Sequence, residues 1–427
     1  MKSDVIRYKK FCQLKSEIRA SKKHLIIGID IGKDNHHAFF GTARGKTLLK
    51  RLIFNNNIDG FKKLIDQVKE LQIQYSLTKT VFGMEPTGNY HKPLAAWLIN
   101  NEHFPVLVSG KAVKDNRELL DGRWDKNDDK DSANIADLIS QGKCLFYENP
   151  EESIIELRNL LSLRKRLKKE EHRLKMRIRN GLLVRYFPEM DRYWGKSIKE
   201  NLAIVKWCID PKKISKMDFM DFVKRVTTTD RGKRQLDRLR KIYDAAADSI
   251  GMPVDISVEF EAKMLADRLK RIRERIKATM QKIETVARKH KSYTILQTIP
   301  GFGPFIAALV IAVIGNPFRF NSYKQVIRLA GYDLNASRSG KTSSSAVAVI
   351  SKKGDSELRY GLYQASMVGT YHNHQFRRLF NRVLKGRERE RGIKTKMRVK
   401  IATKMLVIAW TLMKKEEPFN ADFLVTD

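Results

Sequence analysis

Short apolar runs alternate with helical patterns in the first third of the chain. The run His24–Ile31 is too short for a typical helix, is rich in β-branched residues and is followed by Gly32, so it predicts a buried strand. A second apolar stretch, Thr80–Met84, precedes a Pro- and Gly-containing turn and then a helical pattern. Strands that alternate with helices in this way predict an α/β domain over residues 24–149.

The rest of the chain has helical periodicity. Apolar residues recur at three-and-four spacing over residues 150–185 and 258–289, with Lys and Arg around them, which predicts two long amphipathic helices that pair as a coiled coil. A structural arm with a solvated charged face and a rod that carries nucleic acid are both compatible with this pattern. The predicted parts are a basic arm (1–23) of uncertain order, the α/β domain (24–149), a coiled-coil connector (150–292) whose helical insert (186–251) has no assigned role, a mainly helical C-terminal domain (293–415) and a tail (416–427).

The charge balance points to a polyanionic partner. The 427 residues include 84 Lys and Arg against 48 Asp and Glu, which gives a formal charge of +36 and a pI near 10.0. No apolar run is long enough to predict a membrane span, and the N-terminus lacks a signal-peptide pattern, so we expect a cytoplasmic protein. Three scattered cysteines without CxxC spacing predict neither a disulfide framework nor a zinc site.

Four carboxylates occur where they could hold metal ions. Asp30 interrupts the first strand, Glu85 follows the second, and Asp128 and Asp131 are spaced to share one face of a helix. Hard oxygen ligands suit Mg²⁺ or Mn²⁺, and two such ions promote phosphoryl transfer. Asp30 as a surface residue, and acidic residues that simply favour a helix N-terminus, are the alternatives. Asp125 and Asp129 are rivals within the acidic segment.

A serine beside glycine marks the C-terminal domain. Ser339 lies among cations that could stabilise charge during attack on a phosphodiester. A polar loop is the alternative, and four neighbouring serines are rivals: Ser337, Ser343, Ser344 and Ser345. The predicted nucleic-acid-binding residues are Arg338, Lys341, Lys352, Lys353 and Arg359. Upstream, Ile299–Pro304 is typical either of a helix-hairpin-helix element that binds phosphate or of an ordinary tight turn.

Together these motifs resemble the insertion-sequence one-ten family of transposases, the DEDD recombinases that include the Piv invertase and the bridge-RNA-guided recombinases. The resemblance runs along nearly the whole chain. It is carried by Gly28-Ile29-Asp30, Met84 to Gly88, Lys126-Asn127-Asp128 with Asp131, Phe187-Pro188-Glu189, Ile299-Pro300-Gly301, Ser339-Gly340, Ser351 to Gly354 and Leu358-Arg359. Asn127 stands where the family usually has Thr, and Ser132 where Ala is common, but neither change removes a carboxylate.

The resemblance implies a ribonuclease-H-like, RuvC-like N-terminal domain in which Asp30, Glu85, Asp128 and Asp131 bind metal, and a C-terminal domain in which Ser339 is the nucleophile. It also implies a dimer or tetramer with a composite site built from two protomers, and a structured bridge RNA that pairs with donor and target DNA. The expected function is therefore strand exchange by a DNA transposase or recombinase. A hydrolytic RuvC-like endonuclease and a non-enzymatic nucleic-acid-binding scaffold are the alternatives.

Overall fold

The computed structural model describes residues 2–86, 88–121, 128–194, 200–227, 232–335 and 349–424. The chain divides into two compact units, Met1–Glu151 and Glu152–Asp427. The first contains a mixed sheet and the second is almost entirely helical. An N-terminal mixed-sheet domain followed by a helical region agrees with the predicted combination of fold classes, and the N-terminal part is consistent with a ribonuclease-H-like fold.

The N-terminal unit places helices around a six-stranded sheet. Its elements are α1 (Lys2–Glu17), β1 (His24–Ile31), β2 (Asn35–Thr42), β3 (Thr47–Asn55), α2 (Ile58–Tyr75), β4 (Lys79–Met84), α3 (His91–Asn100), β5 (Pro105–Leu107), α4 (Gly110–Asp121), α5 (Asp128–Ser140) and β6 (Leu145–Phe146). The strand order is β3-β2-β1-β4-β5-β6. The first three strands form an antiparallel meander, whereas β4 runs parallel to β1 and β5 runs parallel to β4.

The basic arm contributes to the core of this unit. Residues 2–17 form helix α1, and Phe11, Leu14 and the following Ile18 are buried in one hydrophobic cluster with residues of the sheet and of α5. The opposite sheet face packs on a second cluster that includes residues of α2 and α3. Both faces of the sheet are therefore covered, which explains why β1 is an unbroken apolar run rather than an alternating one.

The second unit begins with a helix that continues through a π-helical turn. Its helices are α6 (Glu152–Arg177), α7 (Val184–Tyr186), α8 (Asp191–Trp194), α9 (Asn201–Trp207), α10 (Pro211–Ser215), α11 (Phe219–Val226), α12 (Lys233–Ala247), α13 (Ile256–Ala287), α14 (Ser292–Gln297), α15 (Pro304–Ile314), α16 (Tyr323–Ala330), α17 (Ser356–His372), α18 (His374–Leu384) and α19 (Ile393–Lys415). The π-helical turn, Ile178–Leu183, joins α6 to α7. A short ribbon pairs β7 (Leu334–Asn335) with β8 (Val349–Ile350). The two predicted long helices are confirmed, with ends shifted by a few residues.

Helices α6 and α13 pack against each other in antiparallel orientation. Ion pairs join Arg177 to Glu261 and Glu170 to Arg268, so residue numbers rise along one helix as they fall along the other. Part of this pair shares a hydrophobic cluster with α9, α11 and α12, the predicted helical insert. Whether the pair has the regular knobs-into-holes packing of a coiled coil stays a prediction.

The C-terminal helices enclose their own core. Helix α15 is apolar on all sides, as expected for a helix surrounded by neighbours, and it contributes to a cluster with residues of α14, α17 and α19. Over the described ranges, no helix is both long and apolar enough to cross a membrane.

Candidate functional site

Two of the predicted carboxylates are brought together by sheet register. Strands β1 and β4 are parallel neighbours in which Ile29 pairs with Met84, so Asp30 and Glu85 follow at the same level. Both residues are partly exposed. The carboxyl ends of adjacent parallel strands are where α/β folds gather functional groups. On the other side of β1, Asp30 is opposite His37 of β2.

A pair of glycines lets helix α5 approach this part of the sheet. Gly28 and Gly83 are register partners two residues before Asp30 and Glu85. An ideal Cβ on Gly28 would be 2.0 Å from the Ser132 carbonyl oxygen of α5, so no larger residue fits there without moving the helix. Because side chains alternate along a strand, Asp30 projects to the same face as Gly28, which is the face that α5 covers.

Helix α5 carries the other two predicted carboxylates in its first turns. The Asp131 side chain is 3% exposed and is ion-paired with Arg117 of α4, at 2.6 Å from Nη2 and 2.9 Å from Nε. Asp128 is the first residue of α5, and its side chain lies outside the described part of the structure. The close contact between Ser132 and Gly28 therefore holds the N-terminal part of α5, which carries these two carboxylates, against the sheet.

A buried polar network fixes α4 to α5. Asn116 donates to Asn134 Oδ1 at 2.6 Å and to Asp137 Oδ2 at 2.9 Å, and Asn134 donates to the Val113 carbonyl at 2.6 Å. Since Asn116 precedes Arg117, this network fixes the part of the helix from which Arg117 reaches Asp131. Buried networks in which every member is satisfied rigidify their surroundings.

Glu85 packs against the first residue of α4. An ideal Cβ on Gly110 would be 2.4 Å from Glu85 Oε1, so a side chain at this position would displace the carboxylate. Among the described residues, which do not include the Asp128 side chain, no three His, Cys, Asp or Glu side chains form a group that could hold a metal ion.

The predicted serine nucleophile belongs to a segment closed by the β7–β8 ribbon. Leu334 pairs with Ile350, and Asn335 pairs with Val349. Residues 336–348, which contain Ser339, Arg338, Lys341 and the four rival serines, lie outside the described residues. The described residues on either side of this segment, which pair in the ribbon, form its base.

Hydrogen bonds from side chains to backbone carbonyls join the residues on either side of this segment. Arg359 Nη1 donates to the Ala330 carbonyl at 2.8 Å and to the Gly354 carbonyl at 3.0 Å. The Tyr332 hydroxyl donates to the Arg359 carbonyl at 2.9 Å, and burial raises the pKa of Tyr332. Arg359, predicted to bind nucleic acid, thus has a structural role at the foot of the ribbon. We call these three hydrogen bonds the Arg359 clamp.

Backbone packing tightens the same region. An ideal Cβ on Gly354 would be 2.4 Å from the Gly331 nitrogen, and Gly331 has a φ of +69°, so both positions favour glycine. Ser351 donates its hydroxyl proton to Asp333 at 2.5 Å. Lys352 and Lys353 are exposed and direct positive charge into solvent beside the ribbon.

Sequence reasoning missed several residues that shape these two sites. Gly28, Gly83 and Gly110 make room for the carboxylates or for α5, and Arg117 supplies the counter-ion of Asp131. The spacing of the two glycines, each two residues before a carboxylate, was visible in the sequence as Gly-x-Asp and Gly-x-Glu, whereas their register was not. Arg117 had no recognisable motif.

Family models match both ends of the chain. A DEDD transposase model of the IS110 family matches residues 27–188, and a model described as the transposase IS116/IS110/IS902 family matches residues 293–381. Together they cover more than half of the chain. The chain belongs to the IS110 family of transposases.

Similar proteins span most of this transposase. It is 26% identical to the uncharacterized 44.8 kDa protein of insertion element IS116 from Streptomyces clavuligerus, over 72% of this chain and 74% of that protein. It is 22% identical to the pilin gene-inverting protein of Moraxella lacunata, over 92% of this chain and 97% of that protein. The insertion-sequence one-ten resemblance is therefore confirmed.

Proposed function

We propose that this transposase cuts and exchanges DNA strands with a carboxylate-bound Mg²⁺ or Mn²⁺ and the Ser339 hydroxyl. The observation that carries the proposal is the register of Asp30 and Glu85 at the ends of neighbouring strands, on the sheet face covered by the helix of Asp128 and Asp131. The pilin gene-inverting relatives favour recombination over simple hydrolysis, because inverting a gene requires that cut strands be rejoined.

The carboxylates fit a hard divalent cation by their chemistry. Asp30 and Glu85 offer oxygen donors at adjacent positions, and a third carboxylate, Asp131, now has Arg117 as its counter-ion. When bound, the metal would polarise the scissile phosphate and stabilise the developing charge. Arg117 would have to release or share Asp131, so we expect this arginine to moderate the affinity for metal.

Ser339 provides the covalent step of the proposal. Its oxygen forms an ester bond to phosphorus as the bond from phosphorus to a deoxyribose oxygen breaks, and the freed oxygen gains the proton that the serine loses. A hydroxyl of another strand then attacks this ester, which returns the proton to Ser339 and joins the new strands. Lys352 and Lys353, exposed beside the ribbon, would bind the flanking phosphates.

Guidance by a structured RNA completes the proposal. A formal charge of +36 favours binding of polyanions, and the family resemblance implies a bridge RNA that selects donor and target by base pairing. The corresponding assembly is a dimer or tetramer that works on DNA in the nucleoid, with carboxylates and serine supplied by different protomers.

The proposal is tested with purified protein, flanking RNA of its element, labelled donor and target DNA, and Mg²⁺. We expect a DNA-linked protein band on denaturing gels for the wild type, and loss of both the band and recombination by about 10³-fold or more for Ser339→Ala and for Asp30→Asn. Free cleaved DNA that persists in Ser339→Ala would instead identify a hydrolytic nuclease.

Mixing the two inactive variants tests the composite assembly. If carboxylates and serine come from different protomers, mixed oligomers of Ser339→Ala and Asp30→Asn contain one intact pairing, and part of the activity returns. Mixing Ser339→Ala with Ser339→Gly is the matched control, which restores nothing. Activity absent from both mixtures, with mixed oligomers verified by differential tagging, would contradict the composite site.

A further inference from the structure

An exposed tryptophan in the helical insert has no role in the proposed chemistry. Trp207, the last residue of α9, has 49% of its surface exposed, whereas large aromatic residues normally bury most of theirs. Lys206 Nζ is 4.9 Å and Lys263 Nζ 5.8 Å from the centre of its rings. The indole offers a face on which another π system can stack, and the two ammonium groups beside it attract negative charge.

Trp207 lines a cavity of about 480 Å³ between α9, α10, α11 and α13. This volume is within the range of small-ligand pockets. Four cations line the cavity, Lys206, Lys213, Arg225 and Lys263, against two acids, Asp210 and Glu259. The cavity therefore combines an aromatic wall with a surplus of positive charge.

The acids of the cavity already have other partners. Asp210 caps α10 by accepting from the Lys212 backbone nitrogen at 3.0 Å, and Glu259 is ion-paired with Lys213. Lys206 is ion-paired with Asp267 at 2.6 Å. Arg225 and Lys263 have no acidic partner within 4.0 Å among the residues that the structure describes, so their charges remain available to an anionic ligand.

We propose that this cavity, the Trp207 site, binds an unpaired nucleotide of a single-stranded nucleic acid, with the base stacked on Trp207 and a flanking phosphate bound by Arg225 and Lys263. Stacking platforms beside basic grooves are how proteins hold single strands without reading sequence. A duplex keeps its bases stacked on each other, so it cannot offer the same face. The site uses none of the residues of strand exchange.

Photo-crosslinking tests the site on the full-length protein. Twelve-residue oligonucleotides carrying 5-bromouracil, as oligo-dU and oligo-rU, are irradiated with the protein, and adducts are mapped by mass spectrometry. We expect an adduct on the peptide that contains Trp207, competed away by unlabelled single strands and not by an equal amount of duplex. Tighter competition by the ribo or the deoxy strand identifies which nucleic acid is the natural ligand.

Matched variants give the size of the effect. The affinity for a fluorescently labelled single strand, measured by anisotropy, should fall by about 5- to 150-fold in Trp207→Ala, whereas Trp207→Phe, which keeps an aromatic face, should stay within about 3-fold of the wild type. Tyr323→Ala is the control, because Tyr323 is also 49% exposed but lies on α16. Arg225→Gln should reduce the salt slope of binding by about 0.7, as expected for one single-strand phosphate.

Three outcomes would overturn the Trp207 site. These are adducts elsewhere with none at Trp207 in the wild type, equal competition by duplex, and equal losses in Trp207→Ala and Tyr323→Ala. The wild-type mapping keeps the test valid if Trp207→Ala fails to fold. Repeating the experiment on Asp30→Asn separates this inference from the proposed function, because crosslinking should survive the loss of strand exchange.

Discussion

The two candidate sites are built in different ways. In the N-terminal unit, Asp30 and Glu85 are positioned by strand register and by a helix that touches the backbone of Gly28. In the C-terminal unit, the segment that carries Ser339 departs from a ribbon of two residue pairs, held by the Arg359 clamp. The first site depends on close packing of whole elements, whereas the second depends on a few hydrogen bonds from side chains to backbone. Different substitutions should therefore disable them.

The largest expected effect is at Gly28. In Gly28→Ala the new methyl would meet backbone atoms of Ser132 and Ala136 at 2.0 and 2.7 Å, so α5 must shift, and overpacking of this kind costs about 3 kcal/mol or more. Gly83→Ala is the matched control, because its nearest neighbour is the end of the Ile139 side chain, which can rotate. Hydrogen exchange of each unit measures the loss. Equal destabilisation by the two variants would contradict the packing argument.

Arg359→Ala should release the base of the serine segment. It removes two charge-assisted hydrogen bonds to carbonyls, so we expect local stability around Ala330 and Gly354 to fall by about 2–3 kcal/mol. We expect the strand-transfer rate to fall by the factor that corresponds to the same free energy. Lys353→Ala is the comparison, since an exposed phosphate-binding lysine should lower the salt slope of duplex binding by about one unit instead. A changed salt slope with intact hydrogen exchange in Arg359→Ala would show that Arg359 binds phosphate.

Gly110→Ala should move one carboxylate without disturbing the fold. The added methyl would lie 2.4 Å from Glu85 Oε1, and a flexible side chain yields more easily than backbone. We expect about tenfold slower strand exchange, equivalent to about 1.4 kcal/mol, together with weaker Mn²⁺ binding in a titration followed by electron paramagnetic resonance. Unchanged Mn²⁺ affinity would mean that Glu85 does not bind metal.

Acidification should weaken the N-terminal unit. Burial lowers the pKa of His24, His36 and His91, all in this unit, because the charged imidazolium is poorly solvated there. The unfolded chain therefore binds protons at a higher pH than the folded unit, so stability falls as the pH drops below about 6.5, by up to about 1.4 kcal/mol per pH unit for each histidine. Thermal unfolding between pH 7.5 and 5 measures this, and a pH-independent transition would contradict it.

Sequence reasoning predicted the elements better than the contacts between them. Strand β1, the two long helices and the α/β character follow from local periodicity, which the final structure retains. Helix α1 was missed because its buried apolar residues, Phe11 and Leu14, are few and lie among lysines, and only the sheet that they and the following Ile18 pack on makes them a core. The ion pair of Arg117 with Asp131 could not be predicted, because the partners meet only when α4 packs on α5.

The placement of the carboxylates was predicted in part. That Asp30 lies within the first strand and Glu85 directly follows the second is readable from the apolar runs, but that the strands are parallel neighbours with matched register depends on long-range pairing. The role of Arg359 was hidden for a similar reason, since a basic residue in a basic chain predicts phosphate binding unless its carbonyl partners are known.

The narrow ribbon has a consequence for how the family can diversify. The hydrogen bonds at its foot join Tyr332, Gly354 and Arg359, which lie on either side of residues 336–348 in the sequence. A chimera that takes residues 336–348 from a relative keeps both partners of each of these hydrogen bonds, so we expect this region of the recipient to fold as before.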